Sequence, residues 1–259
     1  TAYKDSKTSR FYNRQLSRTE FRQFLIKHQE PLCIGMEACG SAHYWGRECE
    51  KLGHQVRIIP TQTVKFVNNS NKDDRNDAFC IWQAMQLPDI KTVKIRDESN
   101  QLLMSLLRLR DLIIKQKTRL QNNLRGCLYE LGIICNGGAG SLVDTARHAA
   151  EQAREENSEW SELIAMVSTC AIGLLKGQAK QLQTIDEYIA KYTQKNESCR
   201  KLMTIPYVGP VTAAALYAVM YRPENFKNSR QLTRDLLLPI PGPEAKLSWE
   251  EYRKKVIRY

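Results

Sequence analysis

Near residue 98 the apolar residues stop coming in short blocks and begin to recur at helical spacing. This break constrains the fold more than any other feature of the chain. Upstream of it, residues 11–16 predict a strand. Ser17, with Glu20 three positions later, predicts a helix start closed by a capping box. The run 31–36 (PLCIGM) is short, continuous and apolar, the pattern of a strand buried on both faces. Residues 40–52 predict a helix ended by Gly53, 55–59 (QVRII) a strand stopped by Pro60, 74–85 a helix and 92–95 a strand. Strands alternating with helices predict an α/β layer with a largely parallel sheet.

Downstream, Leu102, Leu106, Leu109, Ile113, Leu120, Leu124 and Leu131 mark one long amphipathic helix ending near Gly132. The glycine-rich residues 136–140 (NGGAG) predict a linker. A phosphate loop there is disfavoured, because no strand precedes it and no Lys follows. Trp160, Leu163, Val167, Ala171, Leu174, Leu182, Ile185 and Ile189 mark a second long helix. Two such helices joined by a loop predict an antiparallel, coiled-coil-like arm. A small helical domain begins near Leu202. The boundaries read this way are 1–97, 98–200, 201–235 and an aperiodic tail, 236–259.

Lys and Arg outnumber Asp and Glu by 39 to 28, a net charge of +11. Such a surplus points to a polyanionic partner, nucleic acid or an anionic membrane surface. No amphipathic anchor or lipidation motif is present, which favours nucleic acid; the plainer alternative is a basic protein kept soluble by its charge. No apolar run approaches the roughly 18 residues that a membrane span requires. The eight cysteines show no C-x-x-C spacing, so zinc is not expected and reduced thiols in a bacterial cytoplasm are. Cys33, Cys80 and Cys127 lie in apolar stretches and are expected in the core.

Glu37 directly follows the apolar run 31–36, and in parallel α/β sheets sites form beyond the carboxyl ends of strands. Asp74 and Asp77 are three apart at a helix start, so their carboxylates face the same way. In isolation, helix capping by Asp74 with a solvated Asp77 is the favoured account of them. If the three acids converge, they repel unless cations intervene, and an all-oxygen site suits Mg2+ or Mn2+. His43, Tyr44 and Trp45 follow Glu37 closely; helix packing is the main expectation for them, with phosphate or metal contact by His43 the alternative.

A second group of residues is basic. Between 101 and 134, Arg108, Arg110, Lys115, Lys117, Arg119 and Arg125 face only Asp111 and Glu130 in sequence, and Gln121, Asn122 and Asn123 add polar reach. Phosphates attract such a helix, while a solvated face is the alternative. Residues 205–210 (IPYVGP), followed by an Ala-rich stretch, have the form of a helix-hairpin-helix. In that motif backbone N–H groups near Gly209 hold a phosphate, although Tyr207 stands where the first Gly is usual.

Several segments together resemble one family. They are 36–45 (MEACGSAHYW), 51–57 (KLGHQVR), 71–78 (NKDDRNDA), 108–110 (RLR), 124–133 (LRGCLYELGI) and 205–216 (IPYVGPVTAAAL). The chain resembles the DEDD transposases of bacterial insertion sequences, the family that also contains the Piv DNA invertases, in order over about residues 8–232. The resemblance implies an RNase H-like (RuvC-like) N-terminal α/β domain, a helical coiled-coil arm and a small α-helical C-terminal domain bearing a serine nucleophile. It implies a catalytic, metal-binding set of Glu37, Asp74 and Asp77. It implies nucleic-acid contacts from Arg108, Arg110, Lys117, Arg119, Asn122, Arg125 and Gly209. The implied partners are DNA, a bridge RNA and further copies of the chain through the arm, with no membrane.

Two departures from the family pattern shape the expectation. The opening strand and its first Asp have no match in residues 1–10, and Asp5 aligns with the turn after that strand. The serine-bearing segment has no match in 236–259, where Ser248 is accidental. Codons permitted for 249–256 encode, two bases out of frame, a peptide like the family's last motif, so a frameshift is expected. The function implied is metal-dependent DNA transposition or site-specific recombination, with this copy inactive. The alternatives are a non-catalytic nucleic-acid-binding remnant and a plain RNase H-like nuclease.

Overall fold

The computed structural model describes residues 2–4, 11–67, 74–88, 90, 92–155 and 160–221; the side chains of 2–4, 11–13, 74–76 and 139 fall outside that description. So does the tail 236–259, Ser248 included. Two compact units divide after Ser99.

The first unit opens with an antiparallel pair, β1 (Ala2–Lys4) and β2 (Phe11–Asn13). Helix α1 (Arg18–Lys27) starts at the expected capping box: the Ser17 side chain accepts from the Glu20 N–H at 3.3 Å, and Glu20 accepts from the Ser17 N–H at 2.7 Å. Strand β3 (Cys33–Glu37) runs parallel to β4 (Gln55–Ile59), with helix α2 (Ala42–Lys51) between them. Gly53 ends that excursion at φ 84°, a left-handed conformation that glycine adopts without steric cost. Buried His54 joins α1 to β3. Its Nε2 lies 3.1 Å from the Leu25 carbonyl, and its Nδ1 lies 3.3 Å from the Leu32 N–H.

Three expectations for this unit change. The sheet is small, two strands in each pair among the described residues, and the strand expected at 92–95 reduces to a single antiparallel bridge between Val93 and Ile58. Strand β3 is only partly buried and Cys33 is exposed, because the described residues place a strand on one edge of β3 only. A further helix, α3 (Thr61–Val67), follows Pro60, a residue suited to a helix entrance. Helix α4 (Asp74–Gln86) then packs on β3 and β4, with Ile59, Val64, Cys80 and Ala84 in the core.

The second unit is helical. Helix α5 (Glu98–Glu130) ends ahead of Gly132 at φ 75°. The expected linker instead leads straight into an additional helix, α6 (Ala139–Glu155). Helices α7 (Ser161–Lys195), α8 (Glu197–Leu202) and α9 (Pro210–Met220) follow. Leu124 and Leu128 of α5 pack with Leu142, Ala146, Ala149 and Ala153 of α6 and with Ile164, Ala171 and Leu175 of α7. At the other end, Leu103, Met104 and Ile113 of α5 pack with Ile185 and Ile189 of α7 and with Ala214 and Ala218 of α9. The start of α5 therefore meets the end of α7, and the two run antiparallel.

Their apolar stripes match the expected ones in part: Ile113 and Leu124 of α5 and Ala171, Ile185 and Ile189 of α7 are buried as expected. Leu102 and Leu109 of α5, and Leu163 and Leu174 of α7, are exposed. At those turns the inward positions are their neighbours Leu103, Ile164 and Leu175. A helix with several apolar flanks leaves the choice of buried face to its neighbours, here α6 and α9. Among the described residues no helix is long and apolar enough to cross a membrane, and all eight cysteines are free thiols.

Candidate catalytic and nucleic-acid-binding sites

Glu37 is the last residue of β3, and its register partner is Ile59, the last of β4. The Ala38 N–H donates to the Ile59 carbonyl at 2.8 Å, which holds the chain in register just past the acid. Gly35, two residues earlier on the same face of the strand, touches α4 directly. A Cβ there would lie 2.1 Å from Met85 Sδ and 3.2 Å from Ile81 Cγ2. A side chain at this position requires Met85 to move.

Glu37 therefore sits on the side of β3 that faces α4. It lines a cavity of about 680 Å3 together with Ala78, Ile81, Trp82 and Met85 of α4, and with Phe21 and Leu25 of α1. At 3.6 residues per turn, positions 74 and 77 fall within about 40° of Ile81 around the helix. Both candidate aspartates thus belong to the face of α4 that carries Ala78, Ile81 and Met85. Asp77 is partly buried, and its charge helps raise the Cys80 thiol pKa, after the larger effect of burial. Among the described residues no group of three His, Cys, Asp or Glu is arranged to hold a metal; the side chain of Asp74 lies outside that description.

Glu37 is a partly buried residue, and no side chain among the described residues pairs with its carboxylate. An acidic oxygen donor facing a cavity is of the type that divalent cations take.

His43 serves packing. Its Nδ1 accepts from the Arg96 N–H at 3.3 Å, tying α2 to the segment before α5. Burial first, then the charges of Arg96 and Arg47, lower its pKa and keep the ring neutral. Arg47 donates to the Arg96 carbonyl at 2.7 Å. Trp45 packs edge-on against Phe21 at 5.0 Å, and the Arg18 guanidinium lies 5.7 Å from the Tyr44 ring and 5.8 Å from the Trp45 ring.

The basic residues of α5 separate into two faces. Arg108, Leu112, Lys115, Arg119 and Asn122 recur at three- and four-residue spacing, Tyr129 follows seven residues on, and all are exposed, forming one stripe. Arg108 and Arg119 make no ion pair among the described residues, whereas Lys115 pairs with Asp111 at 2.8 Å. Arg110 and Lys117 lie about 180° round the helix from this stripe. Arg110 is engaged internally, its Nε and Nη2 donating to Asp186 of α7 at 2.6 and 3.3 Å. Arg125 donates to the Asn122 side chain at 3.4 Å and to the Gly137 carbonyl at 3.2 Å, securing the turn before α6. The alternation of the stripe is present in the sequence.

Gly209 caps the start of α9 with φ −84° and ψ 177°, and a Cβ there would meet nothing within 4 Å. Neither backbone nor packing requires glycine at this position. The left-handed residue of the turn is Tyr207, at φ 67°.

The transposase family model of the IS110 DEDD type matches residues 3–133. The model for transposases of the IS116/IS110/IS902 family matches residues 199–234. A probable family 20 transposase of Pseudomonas aeruginosa is 31% identical over 227 residues, 84% of this chain and 64% of its own length. The transposase for insertion sequence element IS1111A of Coxiella burnetii is 30% identical over 236 residues, 86% of this chain and 60% of its own. The transposase for insertion sequence element IS1328 of Yersinia enterocolitica is 29% identical, with 84% and 63% covered. The chain thus spans less than two thirds of the length of these relatives. With both ends of the described core matched in order, the chain belongs to the IS110 family of DEDD transposases.

Proposed function

We propose that this chain forms the metal-dependent, DNA-recombining part of an insertion-sequence transposase, with an RNase H-like (RuvC-like) catalytic unit and a coiled-coil-like helical arm. The observation that carries the reading is the position of Glu37, a partly buried residue whose carboxylate has no partner among the described residues, on the α4-facing side of β3, beside the helix whose first turn contains Asp74 and Asp77. An oxygen-only set of this kind suits Mg2+ or Mn2+. When bound, paired ions supply activation of one oxygen and stabilisation of the leaving oxygen in phosphodiester chemistry. The chain's own part is positional. Strand β3 fixes Glu37, Gly35 lets α4 approach, and the first turn of α4 is a favourable place for anionic side chains.

Mn2+ binding, followed by electron paramagnetic resonance, tests the site without requiring activity. Glu37→Gln and Asp77→Asn are each expected to weaken binding by about 10-fold or more. Unchanged Mn2+ affinity in Glu37→Gln refutes the reading.

A role in binding nucleic acid without catalysis has its own support in the exposed stripe of Arg108, Arg119 and Asn122. Metal-free binding that is salt-dependent and indifferent to Glu37→Ala is its signature. In either case the proposed partners are DNA, a bridge RNA, and a second copy of the chain on the exposed apolar residues Leu163, Met166 and Leu174 of α7. The proposed setting is the bacterial cytoplasm, where the eight thiols stay reduced.

A further inference from the structure

Between α8 and α9 the chain makes a tight turn in which the Val208 N–H donates to the Ile205 carbonyl at 3.1 Å. Pro206 and Tyr207 are its central residues. Proline followed by a residue of positive φ is the pattern of a turn that takes glycine, or asparagine, at its third position. Tyr207 occupies that position at φ 67°. A bulky aromatic residue in the left-handed region is a genuine outlier. Tyr207 is 98% exposed, so its ring gains no packing from the described residues, and Ile205 beside it is 49% exposed.

The chain leading into the turn is basic: Lys191, Lys195 and Arg200 are exposed on α7 and α8, and Lys201 is exposed but pairs with Glu197 at 2.8 Å. An aromatic ring held out in a basic segment is how proteins stack on bases not engaged in a duplex: the cations follow the backbone and the ring meets the base face. We infer that Tyr207 is a stacking post for an unpaired nucleobase in a single-stranded stretch of the nucleic acid this chain handles. The inference rests on the nucleic-acid-binding reading above and adds to it a residue and a strand state.

The test uses the whole chain, with fluorescently labelled single-stranded DNA, single-stranded RNA and duplex DNA of one base composition, titrated at several salt concentrations. Tyr207→Gly is expected to lower affinity for the single strands by about 5- to 100-fold, with the duplex affinity and the salt slope unchanged, because no phosphate contact is lost. Tyr207→Phe, which keeps the ring, is expected to bind as the parent does. Loss confined to DNA or to RNA identifies which single strand is the source. Tyr207→Gly removes the backbone strain and is expected to raise Tm by about 2–4 °C, so weaker binding cannot be attributed to unfolding. If the parent binds single strands and Tyr207→Gly binds them equally well, the stacking role is wrong while the nucleic-acid reading stands. If the parent binds no nucleic acid even at low salt, both are wrong. If single-strand binding is unchanged but Tyr207→Gly abolishes self-association, the ring is a protein contact and the inference is overturned.

Discussion

At the scale of single residues, backbone space and protonation govern the candidate catalytic unit. Gly35 is where α4 meets β3, and Gly35→Ala forces Met85 to move. The expected cost is about 1–3 kcal/mol in urea unfolding. Shortening Met85 to Ala in the same chain should recover part of that cost, and a strictly additive double mutant would contradict the contact. His43 gives a pH prediction. Its folded pKa lies below the ordinary value because of burial, then Arg96 and Arg47. The unfolded chain therefore takes up a proton at a higher pH than the folded one. The stability associated with the neutral ring is complete above about pH 6.5 and falls as the pH drops from there toward the lower folded pKa. His43→Asn, which keeps an acceptor for the Arg96 N–H, should flatten the acid limb of Tm against pH; an unchanged limb would rule out His43 as its source.

At the scale of elements, the question is which face of each long helix is buried. Apolar residues on α5 differ widely in burial, even within the one expected stripe. Leu124 and Leu128 are 1% and 0% exposed, whereas Leu102 is 70% exposed. Leu128→Ala is expected to cost about 2–5 kcal/mol, since the surrounding core closes only partly around the gap. Leu102→Ala should stay within about 0.5 kcal/mol. Equal losses in thermal or chemical unfolding would mean that the stripe is assigned to the wrong face. The elements legible in advance were those whose signals are local: the Ser17–Glu20 cap, strand β4 before Pro60, the glycine stops at 53 and 132, and both long helices. Helix α3 lacked a clear apolar period. Helix α6 is built on Ala146, Ala149, Ala150 and Ala153, small residues that look polar-neutral in sequence and become a packing surface only against α7.

At the scale of the whole molecule, a net charge of +11 becomes useful only where the fold gathers it. The exposed stripe of α5 does so with Arg108 and Arg119, while Arg110 is spent on Asp186 and Arg125 on the Gly137 carbonyl. Replacing Arg108 and Arg119 together by Gln is expected to reduce the slope of log affinity for DNA against log salt by about 2, near one per cation. Replacing Arg110 should lower stability and leave that slope alone. A slope that responds to Arg110 and ignores Arg108 would reverse the assignment of faces.

The sequence by itself determined the break near residue 98, the helix caps and stops, and the positions of the acids at a strand end and a helix start. Those depend on contacts between near neighbours in the chain, which periodicity and residue type record directly. Only the tertiary structure decided that Gly35 lets α4 press on β3 so that Glu37 shares a cavity with it. The same holds for the removal of Arg110 from the outer face of α5 and the exposure of the Tyr207 ring at the tip of its turn. Each of these depends on residues far apart in sequence, or on a dihedral angle that the residue type argues against. Packing is a property of pairs of elements, and no single segment encodes its partner.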